Sequence, residues 1–235
     1  MKLRLQKALS LQGIASRRKA EDLIKSGRVY IEEKKASLGD KVSEKENIYI
    51  DGKKIILKFS FSEELLIYNK PVGELCENNH KSKTIFDKLP KPKSGKWISI
   101  GRLDINTSGL ILITNNGDLA NEIIHPSKNI EREYVARIRG KPKQEDIKKL
   151  LKGIKIDGIN IKFLDIVKGK ETTSHTWFAM VITSGKNRSV RKLWGTIGHE
   201  VSRLKRVRIG NLFLPSNLRE GSFKRVKPSD IGLFK

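Results

Sequence analysis

The chain has 235 residues, 37% of them hydrophobic, enough for one large domain or for a large domain with a small one attached. Lys and Arg number 49 against 26 Asp and Glu, and the formal charge of +23 points to a polyanionic partner, nucleic acid first. The single cysteine, Cys76, excludes a disulfide framework, and His80, His125, His175 and His199 are too scattered to suggest a metal site. No apolar run approaches a membrane span and the start MKLRLQKALS has no signal-peptide pattern, so a cytoplasmic protein is expected.

In chain order, Leu5, Ala8 and Leu9 have helical spacing that Gly13 can end. Ser16 can cap a second helix, whose apolar face is Ala20, Leu23 and Ile24 and which Gly27 stops. RVYIEE and NIYIDGKKI read as strands, and Asp51-Gly52 is a two-residue hairpin signal. Two helices and a small sheet thus fill residues 1–60, and Phe59–Glu63 reads as a short linker to a second domain over 61–235.

Beyond Leu65, the segments LLIYNKP, WISIG, LILIT, EYVARIR, IKFLDIV, TWFAMVIT and RLKRVRI are strand candidates. Three helices lie among them. Gly117–His125 is stopped by Pro126; a second, opened by Pro142, carries Ile147, Leu150 and Leu151; a third, over residues 188–198, carries Val190, Leu193, Trp194 and Ile197. Runs of strands with occasional helices predict an α+β fold with a mainly antiparallel sheet. The basic tail, 216–235, is expected to be only partly ordered.

Two constellations can carry chemistry. In IGRLDINTSGLILIT, the segment RLDINTSG hangs between two buried strands. Asp104 there either closes an Asx-turn with Asn106, Thr107 and Ser108 or acts as a nucleophile or base, and local sequence alone favours the turn. Between Lys186 and Gly210 there are eight Lys or Arg against one Glu, five of the eight being arginine. Helix spacing turns Arg188, Arg191 and Lys192 away from the apolar stripe, where such residues usually form a solvated face. Cys76 and Trp194 read as packing residues, and His125 as a helix end.

The stretch GIASRRKAEDLIKSGRV resembles the S4 RNA-binding domain, which implies that Arg17 and Arg18 meet RNA; helix physics alone leaves them equally suited to pairing with Glu21 and Asp22. G-R-L-D-x-x-T-S-G-L resembles the catalytic motif of pseudouridine synthases of the RsuA/RluB branch. NKPVGELC, TIFDKLP, EREYVARIRG and GKNRSVRKLWGTIGHEVSRLKRVRIG are similar to that family's other motifs and follow in its order. The resemblance covers nearly the whole chain. It implies an S4 domain joined to a pseudouridine synthase domain, isomerising a ribosomal uridine without metal or cofactor. Asp104 becomes the essential carboxylate, Arg191 its partner, and Tyr134 the residue that stacks on the base. Arg102, Lys186, Asn187, Arg188, Arg203, Arg206 and Arg208 become RNA contacts. The substrate implied is 23S rRNA, with 16S rRNA and a non-catalytic role in ribosome assembly as alternatives, and nothing demands more than a monomer.

Overall fold

The computed structural model describes residues 1–60, 62–77 and 82–232; Phe61 of the expected linker, His80, and the end of the basic tail lie outside them. The chain forms two compact units, one made of Met1–Glu64 with Pro90–Ile98 and the other of Leu65–Leu89 with Ser99–Lys235. The sequence suggested a single cut near residue 60. The structure returns a second segment, Pro90–Ile98, to the first unit.

In the first unit the helices Leu5–Leu11 and Arg17–Lys25 bury Leu5, Ala8, Leu9, Ala20 and Ile24 against Val29, Val42, Ile48 and Leu57. Ser16 caps the second helix, its hydroxyl accepting from the Lys19 amide at 3.2 Å. A four-stranded sheet follows in the order Lys34–Lys35, Val29–Ile31, Ile48–Ile50, Lys53–Ile55. Its last hairpin turns through Asp51 and Gly52 at φ of 50° and 76°, the doubly positive geometry that an Asp-Gly pair tolerates. Pro90–Ile98 is tied on by the Glu64 carboxylate, which accepts from the Lys93 amide at 2.6 Å.

The second unit is built on a nine-stranded sheet. Its main path runs Asp165–Glu171, His175–Ile182, Arg132–Arg139, Val201–Ile209, Ser108–Thr114, Leu65–Lys70, Phe223–Val226. Every pairing on that path is antiparallel except Val201–Ile209 with Ser108–Thr114, which is parallel. Leu65–Lys70 is buried along its whole length, and Ser108–Thr114 from its second residue, which is why each contains a continuous apolar run, Leu65–Tyr68 and Leu110–Ile113. The helix Gly117–Ile124 packs with one apolar cluster around Leu65, Leu110 and Leu112. Gln144–Lys152 and Ser189–Thr196 pack with another around Phe178 and Met180. Trp194 is fully buried there, as expected, and its indole N–H points at the Met180 sulfur at 3.1 Å.

Two expectations are corrected. IKFLDIV is not one strand but the end of Ile159–Ile161 and the start of Asp165–Glu171, with Phe163 buried between them. Within the tail, Phe223–Val226 is a strand in register with Tyr68 to Leu65, so that part is built into the sheet.

Gly109 sits where the parallel pairing forces two backbones together. Its φ is +102°, and an added Cβ would lie 2.2 Å from the Arg206 carbonyl oxygen. Gly109→Ala should therefore cost about 3 kcal/mol or more, from clash and strained backbone together. Urea unfolding should show the midpoint falling at unchanged slope; a midpoint within experimental error of the parent would mean the strands can separate freely.

Candidate active site

The strand Ile98–Ile100 leads into a loop that ends at Ser108–Thr114, and Asp104 stands in that loop. The Thr107 amide donates to the Asp104 main-chain carbonyl at 3.0 Å, closing a tight turn. The turn is made by the backbone, while the carboxylate faces the guanidinium of Arg188 at 3.3 Å. Asp104 thus keeps its side chain for something other than the turn that local sequence favoured.

The loop is fastened at successive peptides. Lys70, the last residue of its strand, is fully buried, and its ammonium donates to the carbonyls of Pro71, Asp104 and Thr107 at 3.0, 3.2 and 2.8 Å. Three N–H groups meet three acceptors, so the charge is fully solvated by backbone. Burial pushes the lysine below its ordinary pKa. One residue earlier, the Leu103 amide donates to the Cys76 sulfur at 3.3 Å while the thiol lies 3.4 Å from the Leu103 carbonyl. Burial pushes this thiol up, so Cys76 stays protonated and serves as packing and anchor, consistent with the packing role expected of it. One residue later, the Gly73 amide donates to the Ile105 carbonyl at 2.8 Å. The loop carrying Gly73 is itself held inside by Tyr68, whose hydroxyl donates to the buried Glu74 carboxylate at 2.6 Å.

The opposing cations come from the loop before the helix Ser189–Thr196. Ser189 closes it, its hydroxyl donating to the Lys186 carbonyl at 2.7 Å, and Arg188 takes a left-handed φ of 55° that starts the helix. Lys186, Asn187 and Arg188 are all exposed. The ion pair on Asp104 is made by Arg188, not by Arg191 as expected. Arg191 is already committed: it donates to the carbonyls of Val201 at 2.6 Å and of Asn106 at 3.0 Å. One helical turn past Arg188, it braces the Asp104 loop from the other side. Burial lowers its pKa, Arg188 lowers it further, and Asp104 raises it.

Tyr134 is half-buried in the strand Arg132–Arg139, opposite Arg206 in the next strand, which in turn faces Gly109. Three adjacent strands therefore line up Tyr134, Arg206 and Gly109, with about 10 Å between the outer two strands. Arg206 is only 3% exposed; its Nε donates to the Leu110 carbonyl at 2.7 Å, and its Nη2 is buried without a partner. It belongs beneath the site and cannot reach an RNA phosphate on the surface. Arg208 is also withdrawn, ion-paired to Glu133 at 2.8 Å and Glu131 at 3.0 Å. Of the three arginines expected along this strand as RNA contacts, Arg203 alone is exposed. Arg102 is exposed beside Glu77 at 3.8 Å, and Arg17 and Arg18 are exposed on the second helix of the first unit.

Sequence reading missed Lys70 and Arg132. Arg132 donates to the carbonyls of Ile130 and Thr183 at 3.0 and 2.8 Å, under the loop that presents Arg188. The signal for Lys70 was a lysine closing an otherwise apolar strand just before Pro71, a place where a surface lysine is unexpected. Among the described residues no three His, Cys, Asp or Glu side chains come together as a metal site, and no helix is long and apolar enough to cross a membrane.

The family model described as RNA pseudouridylate synthase matches residues 64–194, and the S4 domain model matches residues 3–48. The chain belongs to the RNA pseudouridylate synthase family. It is 43% identical to the ribosomal large subunit pseudouridine synthase B of Buchnera aphidicola subsp. Acyrthosiphon pisum, over 98% of this chain and 95% of that protein. It is also 43% identical to the protein of the same name from Pseudomonas aeruginosa, over 98% of this chain but only 61% of that longer protein. A crystal structure of a pseudouridylate synthase superposes with a TM-score of 0.67 at 25% identity, covering 98% of both chains.

For an RNA pseudouridylate synthase the placement of these matches is informative. The catalytic model takes in Lys70, Asp104, Tyr134, Arg188 and Arg191, and stops short of Arg203, Arg206 and Arg208. The S4 match takes in Arg17 and Arg18. An antiparallel-rich sheet with an N-terminal S4 unit is the architecture the sequence led us to expect.

Proposed function

We propose that this pseudouridine synthase isomerises a uridine of large-subunit ribosomal RNA, 23S in preference to 16S, with Asp104 as its one essential carboxylate. In the reaction the bond from ribose C1′ to uracil N1 breaks, a bond from C1′ to C5 forms, the C5 proton leaves, and N1 takes up a proton. Atoms balance without a cofactor. The observation that supports the role of Asp104 most is the division of labour in its loop. The backbone of residues 103–107 is held by Lys70, Cys76, Gly73 and Arg191, while the carboxylate is left facing Arg188. A carboxylate presented on a fixed loop is what attack on a sugar or removal of its proton requires. Tyr134 stacks on the uracil, and Arg191 acts on Asp104 through the loop.

In this reading, residues 1–60 dock RNA through Arg17 and Arg18 and residues 61–235 carry catalysis, with Arg102, Lys186, Asn187, Arg188 and Arg203 meeting phosphates. The enzyme works as a monomer in the cytoplasm, where ribosomal RNA is made. The choice of large-subunit RNA is supported by the names of the relatives.

Protein-free 23S and 16S rRNA labelled with tritium at uracil C5 provide the test. Release of label from 23S and not from 16S is expected. Release from 16S alone would overturn the substrate, and tight RNA binding without release from either would favour an assembly factor.

A further inference from the structure

Two of the large apolar side chains left in solvent flank Asp104. Ile105, the next residue, is 51% exposed, and Val72, on the neighbouring loop, is 62% exposed. Their loops are joined by the hydrogen bond from the Gly73 amide to the Ile105 carbonyl at 2.8 Å. Single exposed apolar residues are ordinary on any protein. These two stand together on backbone that is fixed on both sides, by Lys70 at Pro71, Asp104 and Thr107 and by Arg191 at Asn106. Both are β-branched, so each side chain has little rotamer freedom to lose on contact. Neither side chain belongs to an apolar cluster of the described residues.

Their position limits what can cover them. A substrate that reaches the Asp104 carboxylate meets the loop that also exposes Ile105, the next residue. Around the pair stand exposed cations, Arg102 in the same loop and Arg188 across from Asp104, which suit a phosphate backbone and not an apolar protein partner. The part of a polyanion that fits an apolar surface is the face of a nucleobase. We propose that Ile105 and Val72 form an apolar wedge that packs on the base flanking the target uridine, covering the face that is bared when the uridine leaves its stack. Apolar side chains inserted at base steps perform this service in other nucleic-acid complexes, where they offset the cost of unstacking. The wedge would select RNA in which a base lies beside the target, whatever its identity, because every base offers an apolar face.

This inference rests on the pseudouridine synthase reading, and the experiment separates the two. The full chain and its Ile105→Ser, Val72→Ser double variant are compared on a large-subunit RNA fragment containing the uridine located by mapping pseudouridine in 23S rRNA after incubation with the parent. A second fragment carries abasic sites on either side of that uridine. On the intact fragment the variant should lose at least tenfold in kcat/KM, and Ile105→Leu with Val72→Ile should restore most of it. On the abasic fragment parent and variant should react alike, and their melting temperatures should agree, since both side chains are solvent-exposed. A variant as fast as the parent on intact RNA would overturn the wedge while leaving the enzyme assignment standing. An equal loss on both fragments would also overturn it, showing a disturbed loop. A parent inert on every RNA would sink the enzyme assignment itself.

Discussion

Asp104→Asn should reduce pseudouridine formation by at least about 10³-fold, the scale seen when a nucleophile or base that enters the reaction is removed. The fold should not change. Each hydrogen bond that holds this turn uses the main chain of residues 103–107, and asparagine supplies the same main chain. The side chain gives up only a half-exposed ion pair with Arg188, whose contribution to stability is small. Single-turnover label release, circular dichroism and RNA affinity measured on one preparation would check all three parts. Retained activity within tenfold of the parent would remove Asp104 from the chemistry, and a lowered melting temperature would mean its carboxylate supports the turn after all.

Lys70→Met carries the second large effect, and it separates positioning from chemistry. Methionine matches the length of lysine but leaves the carbonyls of Pro71 and Thr107 without this donor in a buried place, while the Asp104 carbonyl keeps the Thr107 amide. Orphaned acceptors cost about 1–3 kcal/mol each, while removing a buried charge returns part of that, so a net loss of about 2–4 kcal/mol is expected. Activity should fall further than stability implies, by about 10²-fold, because a loop displaced by an ångström no longer places the carboxylate. The signature is a reduced kcat with KM and RNA affinity close to the parent, together with a lower melting temperature. Unchanged kcat would show that Cys76, Gly73 and Arg191 hold the loop unaided.

Much of this molecule was legible because its signals are local. Ser16 caps a helix, Asp51-Gly52 turns a hairpin, and the apolar runs that contain Ile67 and Leu112 are buried strands. What escaped depends on partners far away in sequence. Phe223–Val226 has no strong alternation of its own and becomes a strand by pairing with Leu65–Tyr68. Arg206 looked like one more cation in RLKRVRI. The register is unbroken from Arg203 to Arg206, which puts Arg206 on the face of Leu204 and buries it there. The choice of Arg191 over Arg188 as the partner of Asp104 failed for a similar reason. A helix pattern says which residues share a face but not that Arg188, in a left-handed conformation at its start, turns differently from the rest. Asp104 itself was singled out by its motif, and the structure adds how its loop is held.

The strand Phe223–Val226 also sets an order in time. During vectorial synthesis, Leu65–Lys70 emerges long before the residues that cover its outer edge. Until about 150 further residues have been made, that edge presents a row of unpaired amides and carbonyls on a buried, apolar strand. The same strand ends in Lys70, the anchor of the Asp104 loop. The active site is therefore completed only after Phe223–Val226 has been made, and a ribosome that stalls before Phe223 leaves a sticky edge and no catalyst.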